Sequence, residues 1–448
     1  MASSEVFALS QSINRRQFVK VAGGTTLSLA ALLAGCGSST GGSSGSSSSG
    51  GSSGPVTIEF LAVQQANTGW PVVLAAITSE YAKKHPGTTF KLDYVPQNNL
   101  YQKVQLLAGQ GALPILYNSP PADTMAQLAK NGEVLDLQTT FQQLGVMDQV
   151  TPAAVTIVKK LFNNQFVTLP FELNIEGFWY NKQIFARNSL QPPTTWDELV
   201  RIAASLQQKG IQPFAASGIQ GWPLTRLIGN YLYRKYGPDA LEKVQSGQAK
   251  LTDPGYVEAA QAVADLGKHG YFGKGVATLD YTPALDLFLQ GKTAMIYMGS
   301  WALTDFNNPS ETTIGSDNIG FFHFPNVAGG AGDSSQTPMN AGQTTSVNKA
   351  KYNAAIGQWL AYMAQNYGDV ALQKEGAVTG FVVHNQPASV PALTSLVLDE
   401  IKKVTQPVLW FEALFSTKAT NISQQDAALL VTGAMSAQNF MAAVQQAL

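Results

Sequence analysis

The segment VTIEFLAVQQANTGWPVVLAAITSEYAKKHPGTTFKLDYV, residues 56–95, is typical of a strand, a helix and a second strand in succession. Residues 56–63 are mostly β-branched and apolar and run into a polar loop, which predicts a buried strand. Residues 72–84 carry apolar side chains at helical spacing, and residues 90–95 again favour a strand. This alternation predicts an α/β fold in which a mostly parallel sheet is covered by helices on both faces.

The alternation of strands and helices continues along the rest of the chain. Further strands are predicted at residues 113–117, as a pair within residues 167–182, and at residues 292–298 and 319–324. Further helices are predicted at residues 100–108, 195–207, 224–236, 254–269, 281–290, 352–365 and 390–404, and from residue 424 to the end. Thr195 and Glu198 have the spacing of a capping box at the start of one of these helices.

The first 36 residues resemble the leader of a bacterial lipoprotein. The pair Arg15-Arg16 precedes an apolar stretch that ends in Leu33-Ala34-Gly35-Cys36, which contains the only cysteine in the chain. The segment resembles a twin-arginine signal in which Cys36 is lipidated and becomes the mature N-terminus, with Sec export as the alternative route. A short transmembrane anchor is a further alternative. However, a bilayer span needs about 20 apolar residues, and Gly23-Gly24-Thr25-Thr26 interrupt this stretch.

The part of the chain after the leader is divided between a linker and a folded body. Residues 37–54 contain only Gly, Ser and one Thr, which predicts a flexible linker. Residues 55–448 are more than one hydrophobic core usually supports, so two domains are expected. Cleavage before Cys36 removes three positive charges and one negative charge, which changes the formal net charge from −1 to −3. This near-neutral balance does not indicate a nucleic-acid or anionic-lipid partner.

Three stretches, taken in order, resemble the extracellular solute-binding proteins of ABC sugar importers, the maltose-binding-protein-like group. They are Leu169-Pro170 with Tyr180-Asn181-Lys182 and residues 192–199 (PPTTWDEL), residues 210–214 (GIQPF) with Trp222-Pro223-Leu224, and residues 288–295 (FLQGKTAM) with Gly299-Ser300-Trp301. The resemblance covers essentially the whole chain after the linker.

The resemblance implies a periplasmic-binding-protein-like fold of type II, with two discontinuous α/β lobes whose mostly parallel sheets are joined by a hinge. The N-lobe would comprise residues 55–168 and 326–395, and the C-lobe residues 169–325 and 396–448. A carbohydrate, either a mono- or an oligosaccharide, would bind in the cleft between the lobes. Membrane permease subunits would detect closure of the cleft. We therefore expect a monomeric, lipid-anchored binding subunit on the extracellular or periplasmic side of the membrane.

Tryptophans are the candidate stacking residues, because sugars present apolar C–H faces to aromatic rings. Trp301 follows a predicted strand at a Gly-Ser turn, Trp222 precedes a helix in a Gly-rich loop, and Trp70 begins the first helix. These three are predicted to stack on the ligand. The remaining tryptophans, Trp179, Trp196, Trp359 and Trp410, are predicted to be mainly structural.

Polar candidates come from the ends of strands, because ligands of parallel sheets bind at the carboxyl edge. Two polar loops, residues 64–67 and 118–121, follow strands in this way. The resemblance adds the hinge and the segment by which the chain re-enters the N-lobe. The predicted polar contacts are Gln65, Asn67, Asn118, Ser119, Asn174 and Gln343, with Glu172 and Glu176 as alternatives to Asn174.

The sequence contains no pattern that predicts catalytic residues, a metal site or a cofactor. The four histidines, His85, His269, His323 and His384, are scattered and lack metal-ligand spacing. No pair of carboxylates is singled out for glycoside hydrolysis. We therefore expect a binding protein rather than an enzyme. The alternatives are a binding protein for a polyamine, metal or peptide, a secreted glycan-processing enzyme, and a purely structural lipoprotein. A polyamine would require several uncompensated carboxylates in the cleft.

Overall fold

The computed structural model describes residues 55–67, 69–404 and 406–448. The predicted leader with Cys36 and the linker 37–54 lie outside the described residues. The body begins with β1 (Thr57–Ala62), α1 (Trp70–Ala82) and β2 (Thr89–Tyr94), which confirms the predicted strand, helix and strand. Within the described residues, no helix is both long enough and apolar enough to cross a membrane.

The remaining elements continue the alternation of strands and helices. The further strands are β3 (Leu116–Asn118), β4 (Asn174–Asn181), β5 (Gln212–Ala215), β6 (Thr293–Gly299), β7 (Ile319–Phe322), β8 (Met339–Asn340) and β9 (Thr345–Val347). The further helices are α2 (Gln97–Gly109), α3 (Ala122–Lys130), α4 (Leu137–Gln143), α5 (Pro152–Leu161), α6 (Lys182–Arg187), α7 (Trp196–Gln208), α8 (Trp222–Tyr236), α9 (Ala240–Gln245), α10 (Pro254–Lys268), α11 (Tyr281–Leu289), α12 (Leu303–Phe306), α13 (Ala354–Glu375), α14 (Ala392–Lys403), α15 (Thr417–Thr432) and α16 (Ala437–Gln445).

The first sheet has the strand order β2-β1-β3-β9. β1 is parallel to β2 and to β3, whereas β9 is antiparallel to β3. α1 packs against β2 and α13 and buries Val73, Leu74 and Ile77. This sheet is therefore the βαβ arrangement that residues 56–95 predict.

The second sheet has the order β5-β6-β4-β7, and the short β8 pairs with the start of β4. β5 is parallel to β6, but β4 is antiparallel to both β6 and β7. In each sheet three strands of the main order run in one direction and a fourth, β9 or β4, runs against them. Each of the two reversed strands comes directly after a segment that crosses over from the other sheet. They therefore enter their sheet at its carboxyl edge, which makes them antiparallel to their neighbours.

Residues 167–182 form one strand instead of the predicted pair, because only β4 is regular there. Pro170 cannot donate a ladder hydrogen bond, so the chain remains irregular between Leu169 and Asn174. Leu169 nevertheless bridges Thr345, and Asn174 lies opposite Asn340, in one continuous antiparallel register. Residues 169–175 and 339–345 together form what we call the crossing ribbon, which joins the two sheets.

A glycine is required at position 342 of the crossing ribbon. Gly342 has a φ of 71° and faces Glu172. A Cβ atom at this position would lie 2.8 Å from the Oε2 atom of Glu172. Glycine is therefore favoured here both by the left-handed backbone and by the close approach of the carboxylate.

The second sheet separates two apolar cores, because neighbouring residues of a strand point to opposite faces. Phe178 in β4 stacks on Phe322 with ring centroids 5.2 Å apart. Trp179 points the other way and packs against Phe306 and Phe321. Trp179 is fully buried, and its indole N–H donates to the carbonyl of Met298 at 3.0 Å. It therefore has the core position that its place in a strand predicts.

The C-terminal region forms two helices, so the prediction of one helix from residue 424 to the end is wrong. α15 begins earlier, at Thr417, and ends at Thr432, and the next residue, Gly433, has a φ of 79°. Ser436 then caps α16 by accepting a hydrogen bond from the N–H of Asn439 at 3.2 Å. A left-handed glycine followed by a serine cap is a stop and a start signal, and the Ala- and Gln-rich composition concealed both.

The predicted capping box at the start of α7 is confirmed. The Thr195 hydroxyl accepts a hydrogen bond from the N–H of Glu198 at 3.3 Å, and the Glu198 carboxylate accepts one from the N–H of Thr195 at 3.2 Å. We expect Thr195→Ala to lower the free energy of unfolding by about 1 kcal/mol, because the N–H of Glu198 loses the hydroxyl that accepts its hydrogen bond. Thr195→Ser keeps the hydroxyl and should remain close to the wild type. Chemical denaturation measures both variants, and equal stability of T195A and T195S would contradict the capping role.

Candidate functional site

A cavity lies between the two sheets, beside the crossing ribbon. Trp70, at the start of α1, contributes to it from the first sheet's side, and Trp301, just after β6, from the second. The other lining residues are Gln64, Gly69, Val73, Phe171, Glu172, Asn174, Ser300, Leu303, Thr304, Tyr367, Ala371, Glu375, Ala377 and Val378. The space between these side chains is about 20 Å³, which is room for one or two waters and not for a sugar ring. A ligand of that size would require the two sides to separate.

Glu172 is at the centre of the polar groups around this cavity. Its carboxylate accepts hydrogen bonds from the indole N–H of Trp70 and from the side-chain amide of Asn174. The Asn174 carbonyl in turn accepts a hydrogen bond from the Ser300 hydroxyl at 2.9 Å. Burial raises the pKa of Glu172 to about 6, although its two hydrogen bonds act in the opposite direction. The chain Trp70–Glu172–Asn174–Ser300 therefore links both sides of the cavity through the crossing ribbon.

An aromatic group continues from Trp301 along the second side. The Trp301 indole N–H donates to the Tyr281 hydroxyl at 3.2 Å, and its ring meets Trp222 edge-on at 5.6 Å. Trp222 and Trp410 lie on the guanidinium of Arg226, with centroid distances of 5.4 and 5.1 Å. We call Trp222, Tyr281, Trp301 and Trp410 the aromatic wall. All four are partly buried, so each keeps some ring surface accessible.

Arg226 is held behind the aromatic wall by two buried carboxylates. Its Nε atom lies 3.0 Å from Glu176, and its Nη1 atom lies 3.0 Å from Glu412. Glu176 also accepts a hydrogen bond from the side-chain amide of Asn340 in the crossing ribbon at 2.9 Å. Burial raises the pKa of both carboxyls, and the charge of Arg226 opposes that rise. The wall is thus connected to the ribbon through the cation–π contacts of Arg226, its ion pair with Glu176 and the hydrogen bond from Asn340 to Glu176.

Among the predicted site residues, Trp70, Asn174 and Trp301 line the cavity. Trp222 does not line it but contacts Trp301. Gln65 and Asn67 are exposed, whereas their neighbour Gln64 reaches the cavity and accepts a hydrogen bond from the N–H of Trp70 at 2.9 Å. The loop after β1 is therefore at the site, but through a different residue.

Asn118, Ser119 and Gln343 lie together at the carboxyl edge of the first sheet, outside the cavity lining. Asn118 is fully buried, and its side chain bonds the N–H of Val63 at 2.9 Å and the Thr345 hydroxyl at 3.0 Å. The amide of Gln343 donates to the carbonyl of Ser119 at 3.0 Å. These side-chain groups hold the ends of β1, β3 and β9 together.

Several lining residues were not singled out as site candidates from the sequence. The sequence offers Glu172 only as an alternative to Asn174, and it carries no signal for Thr304 or Glu375. The Glu375 carboxylate accepts a hydrogen bond from the N–H of Gly69 at 3.1 Å, 306 residues away in sequence. A charged residue at the end of a long helix carries no local signal for such a contact. In residues 55–67, 69–404 and 406–448, no three His, Cys, Asp or Glu side chains are grouped to hold a metal ion.

Comparison with known proteins assigns the family. Residues 66–368, more than half of the chain, match the family described as bacterial extracellular solute-binding protein. The chain belongs to this family. Membership places the folded body of this solute-binding protein on the extracellular or periplasmic side.

Curated relatives of this solute-binding protein are distant. The multiple sugar-binding protein of Streptococcus mutans is 25% identical over 62% of this chain and 64% of its own length. An uncharacterized ABC transporter extracellular-binding protein of Pyrococcus horikoshii is 26% identical over 52% of this chain and 55% of its own. The alignments thus span between half and two thirds of these relatives.

Solved structures resemble this solute-binding protein over most of its length. A chitin oligosaccharide binding protein has a TM-score of 0.78 and 25% identity, and the alignment covers 88% of this chain and 98% of that one. The solute-binding protein RafE in complex with raffinose has a TM-score of 0.70, 21% identity and the same coverage. These likenesses confirm the type II periplasmic-binding-protein-like fold, with two discontinuous α/β lobes joined by a hinge.

The raised pKa of Glu172 predicts a pH dependence of stability. The pKa of Glu172 is about 6 in the folded protein, above the ordinary value of 4.5, so the folded state binds its proton more tightly than the unfolded chain does. The stabilisation from this group is therefore complete below pH 4.5 and is lost as the pH rises through 6. Relative to Glu172→Gln, the wild type should lose about 2 kcal/mol of unfolding free energy between about pH 4 and pH 7. Chemical denaturation across this range measures the difference, and a constant difference would contradict the assignment.

Proposed function

We propose that this protein is the substrate-binding subunit of an ABC importer and that it captures a carbohydrate between its two lobes. The observation that carries the proposal is that Trp70 and Trp301, the second of which belongs to the aromatic wall, line one cavity together with amide, hydroxyl and carboxylate groups. Aromatic rings suit the apolar faces of a sugar, and the polar groups suit its hydroxyl edges. The names of similar proteins, which specify multiple sugars, chitin oligosaccharide and raffinose, support the same ligand class.

The proposed lobes are residues 55–168 with 326–395 and residues 169–325 with 396–448, and the last boundary falls within α14. One contact between these lobes is made by residues that do not line the cavity. The Asp123 carboxylate, in α3, accepts hydrogen bonds from the N–H of Thr417 at 3.0 Å and from its hydroxyl at 2.8 Å. Thr417 begins α15, where the helix dipole also favours a carboxylate. We infer that this contact, the Asp123 latch, stabilises the closed arrangement that a permease would detect.

Attachment and partners complete the proposal. Lipidation of Cys36 and the Gly/Ser linker 37–54 would keep a monomeric binding protein beside its permease. The twin-arginine pattern would direct its export. The carbohydrate would bind without any chemical change and without a cofactor.

A screen of sugars tests the proposed function directly. The protein without residues 1–54 should be stabilised against heat by at least one neutral mono- or oligosaccharide, because a ligand that binds only the folded state adds RT ln(1 + [L]/Kd). At a hundredfold excess over Kd this is about 2.7 kcal/mol. Spermidine, divalent metals and short peptides belong in the same screen. Stabilisation by one of these and by no sugar would replace the carbohydrate with another ligand class.

Substitution of Trp301 distinguishes ligand stacking from a packing role. Trp301→Ala should weaken binding of the sugar by at least tenfold, about 1.4 kcal/mol, because the apolar face of the sugar loses its platform. Trp196→Ala is the matched control, since Trp196 packs against Tyr231 and Phe324 in the other core of the second sheet. It should lower stability and leave affinity unchanged. Isothermal titration measures both variants, and equal affinities would indicate that Trp301 only packs.

The Asp123 latch predicts an effect on affinity at a distance from the ligand. Asp123→Ala should weaken sugar binding roughly fivefold to thirtyfold, because closure loses two charge-assisted hydrogen bonds. Asp148→Ala, at an exposed position of the same lobe, should leave affinity unchanged. Titration gives the affinities, and small-angle scattering with saturating sugar reports the closed fraction. Unchanged affinity in D123A would show that the latch does not contribute to closure.

A further inference from the structure

Negatively charged side chains outnumber positively charged ones around the interlobe cavity. Two carboxylates, Glu172 and Glu375, line the cavity, and among its lining residues there is no Lys, Arg or His. Behind the aromatic wall, one cation, Arg226, is shared by the carboxylates of Glu176 and Glu412. The surroundings of the cavity therefore carry more negative than positive groups.

A further acid adds to this imbalance. Asp305 follows the lining residues Leu303 and Thr304 in α12, and it is close enough to Glu375 for their charges to interact. Burial and then the neighbouring acids raise the pKa of Asp305 to about 6. Burial also raises the pKa of Glu375. Lys374, the neighbour of Glu375, is exposed on α13 and does not line the cavity.

The hydrogen bonds that these carboxylates already accept indicate which ligand groups could replace their present donors. Glu172 receives the indole N–H of Trp70 and the amide of Asn174, and Glu375 receives the backbone N–H of Gly69. A sugar that enters between Trp70 and Trp301 would replace some of these donors with its own hydroxyls. An ionised carboxylate only accepts hydrogen bonds. The ligand must therefore present donors at this end of the cleft.

We propose that this end of the cleft selects sugars without a carboxylate and rejects uronic acids and other acidic sugars. The proposal rests on the carbohydrate-binding function proposed above and specifies its substrate class. A uronate would place its own carboxylate, a negatively charged hydrogen-bond acceptor, against the carboxylates of the cavity. In a partly buried site this repulsion is weakly screened. Rejection of a competing ligand by an unpaired like charge is a common source of specificity. Neutral sugars and amino sugars meet no such repulsion.

The experiment compares matched sugars that differ in one group. For each neutral sugar that stabilises the protein, its uronic acid and 2-amino counterparts are titrated by calorimetry at pH 7.5 in low salt. Glucose with glucuronate and glucosamine, and galactose with galacturonate and galactosamine, are the basic sets, extended to disaccharides where these bind. The uronate should bind about a hundredfold more weakly than its neutral partner. The amino sugar should bind at least as tightly as the neutral sugar.

Charge-neutral variants identify the carboxylates responsible. Glu375→Gln and Glu172→Gln should each reduce the discrimination against the uronate, taken as the ratio of the two affinities in the same variant, by about tenfold. Glu80→Gln changes the net charge equally at an exposed position paired with Lys83, and it should leave the ratio unchanged. Thermal melting without sugar establishes that each variant is folded. Glu375→Gln keeps the test valid if the more buried E172Q is unstable.

The outcomes separate this inference from the proposed function. Binding of no sugar at all overturns the proposed function and the selectivity together. A uronate that binds as tightly as its neutral partner overturns the selectivity alone. Equal discrimination in E375Q, E172Q and E80Q likewise overturns the assignment to these carboxylates.

Discussion

The crossing ribbon is the constraint on which the rest of the structure depends. Residues 169–175 and 339–345 keep one antiparallel register from the Leu169–Thr345 bridge to the pairing of Asn174 with Asn340. Because each strand of the ribbon continues into a sheet, the ribbon explains why β4 and β9 run against their neighbours. It also places Glu172, Asn174 and Asn340 between the lobes. Residues of the ribbon that joins the two sheets therefore also line the cavity, so a ligand bound there would act on closure directly.

Charged side chains are buried around the ribbon. Their burial costs solvation free energy, which their hydrogen bonds and ion pairs partly offset. Burial raises the pKa of Glu172, and its two hydrogen-bond donors only partly offset that rise. Glu176 and Glu412 share Arg226, and removal of that arginine would leave two buried carboxylates without a neighbouring positive charge. Apolar side chains would serve stability at least as well at such positions. The presence of these buried charged groups beside the aromatic wall is expected for a site whose polar groups must be oriented before the ligand binds.

Local sequence patterns predicted the elements of the fold well wherever periodicity or a cap signal was strong. Helices α7, α10 and α11 begin within one residue of the prediction, and the Thr195–Glu198 capping box is present. Helices α3, α4 and α5 were not predicted, and α13 extends ten residues beyond its predicted end. Two further errors occur where a local signal was weak or masked, at the irregular residues 167–173 and at Gly433 between α15 and α16. In both places a single Pro or Gly changed the backbone, while the surrounding composition still favoured a regular element.

The sequence by itself determined the α/β class, the two-lobed family and some of the segments that line the cavity. These follow from periodicity and from motifs that are read within a few tens of residues. Only the tertiary structure decided which polar side chains face the cavity: Gln64 lines it, whereas Gln65 and Asn67 are exposed, and Glu375 reaches Gly69 from the far end of α13. The physical reason is that orientation and charge balance depend on contacts between segments hundreds of residues apart. No local pattern encodes such contacts.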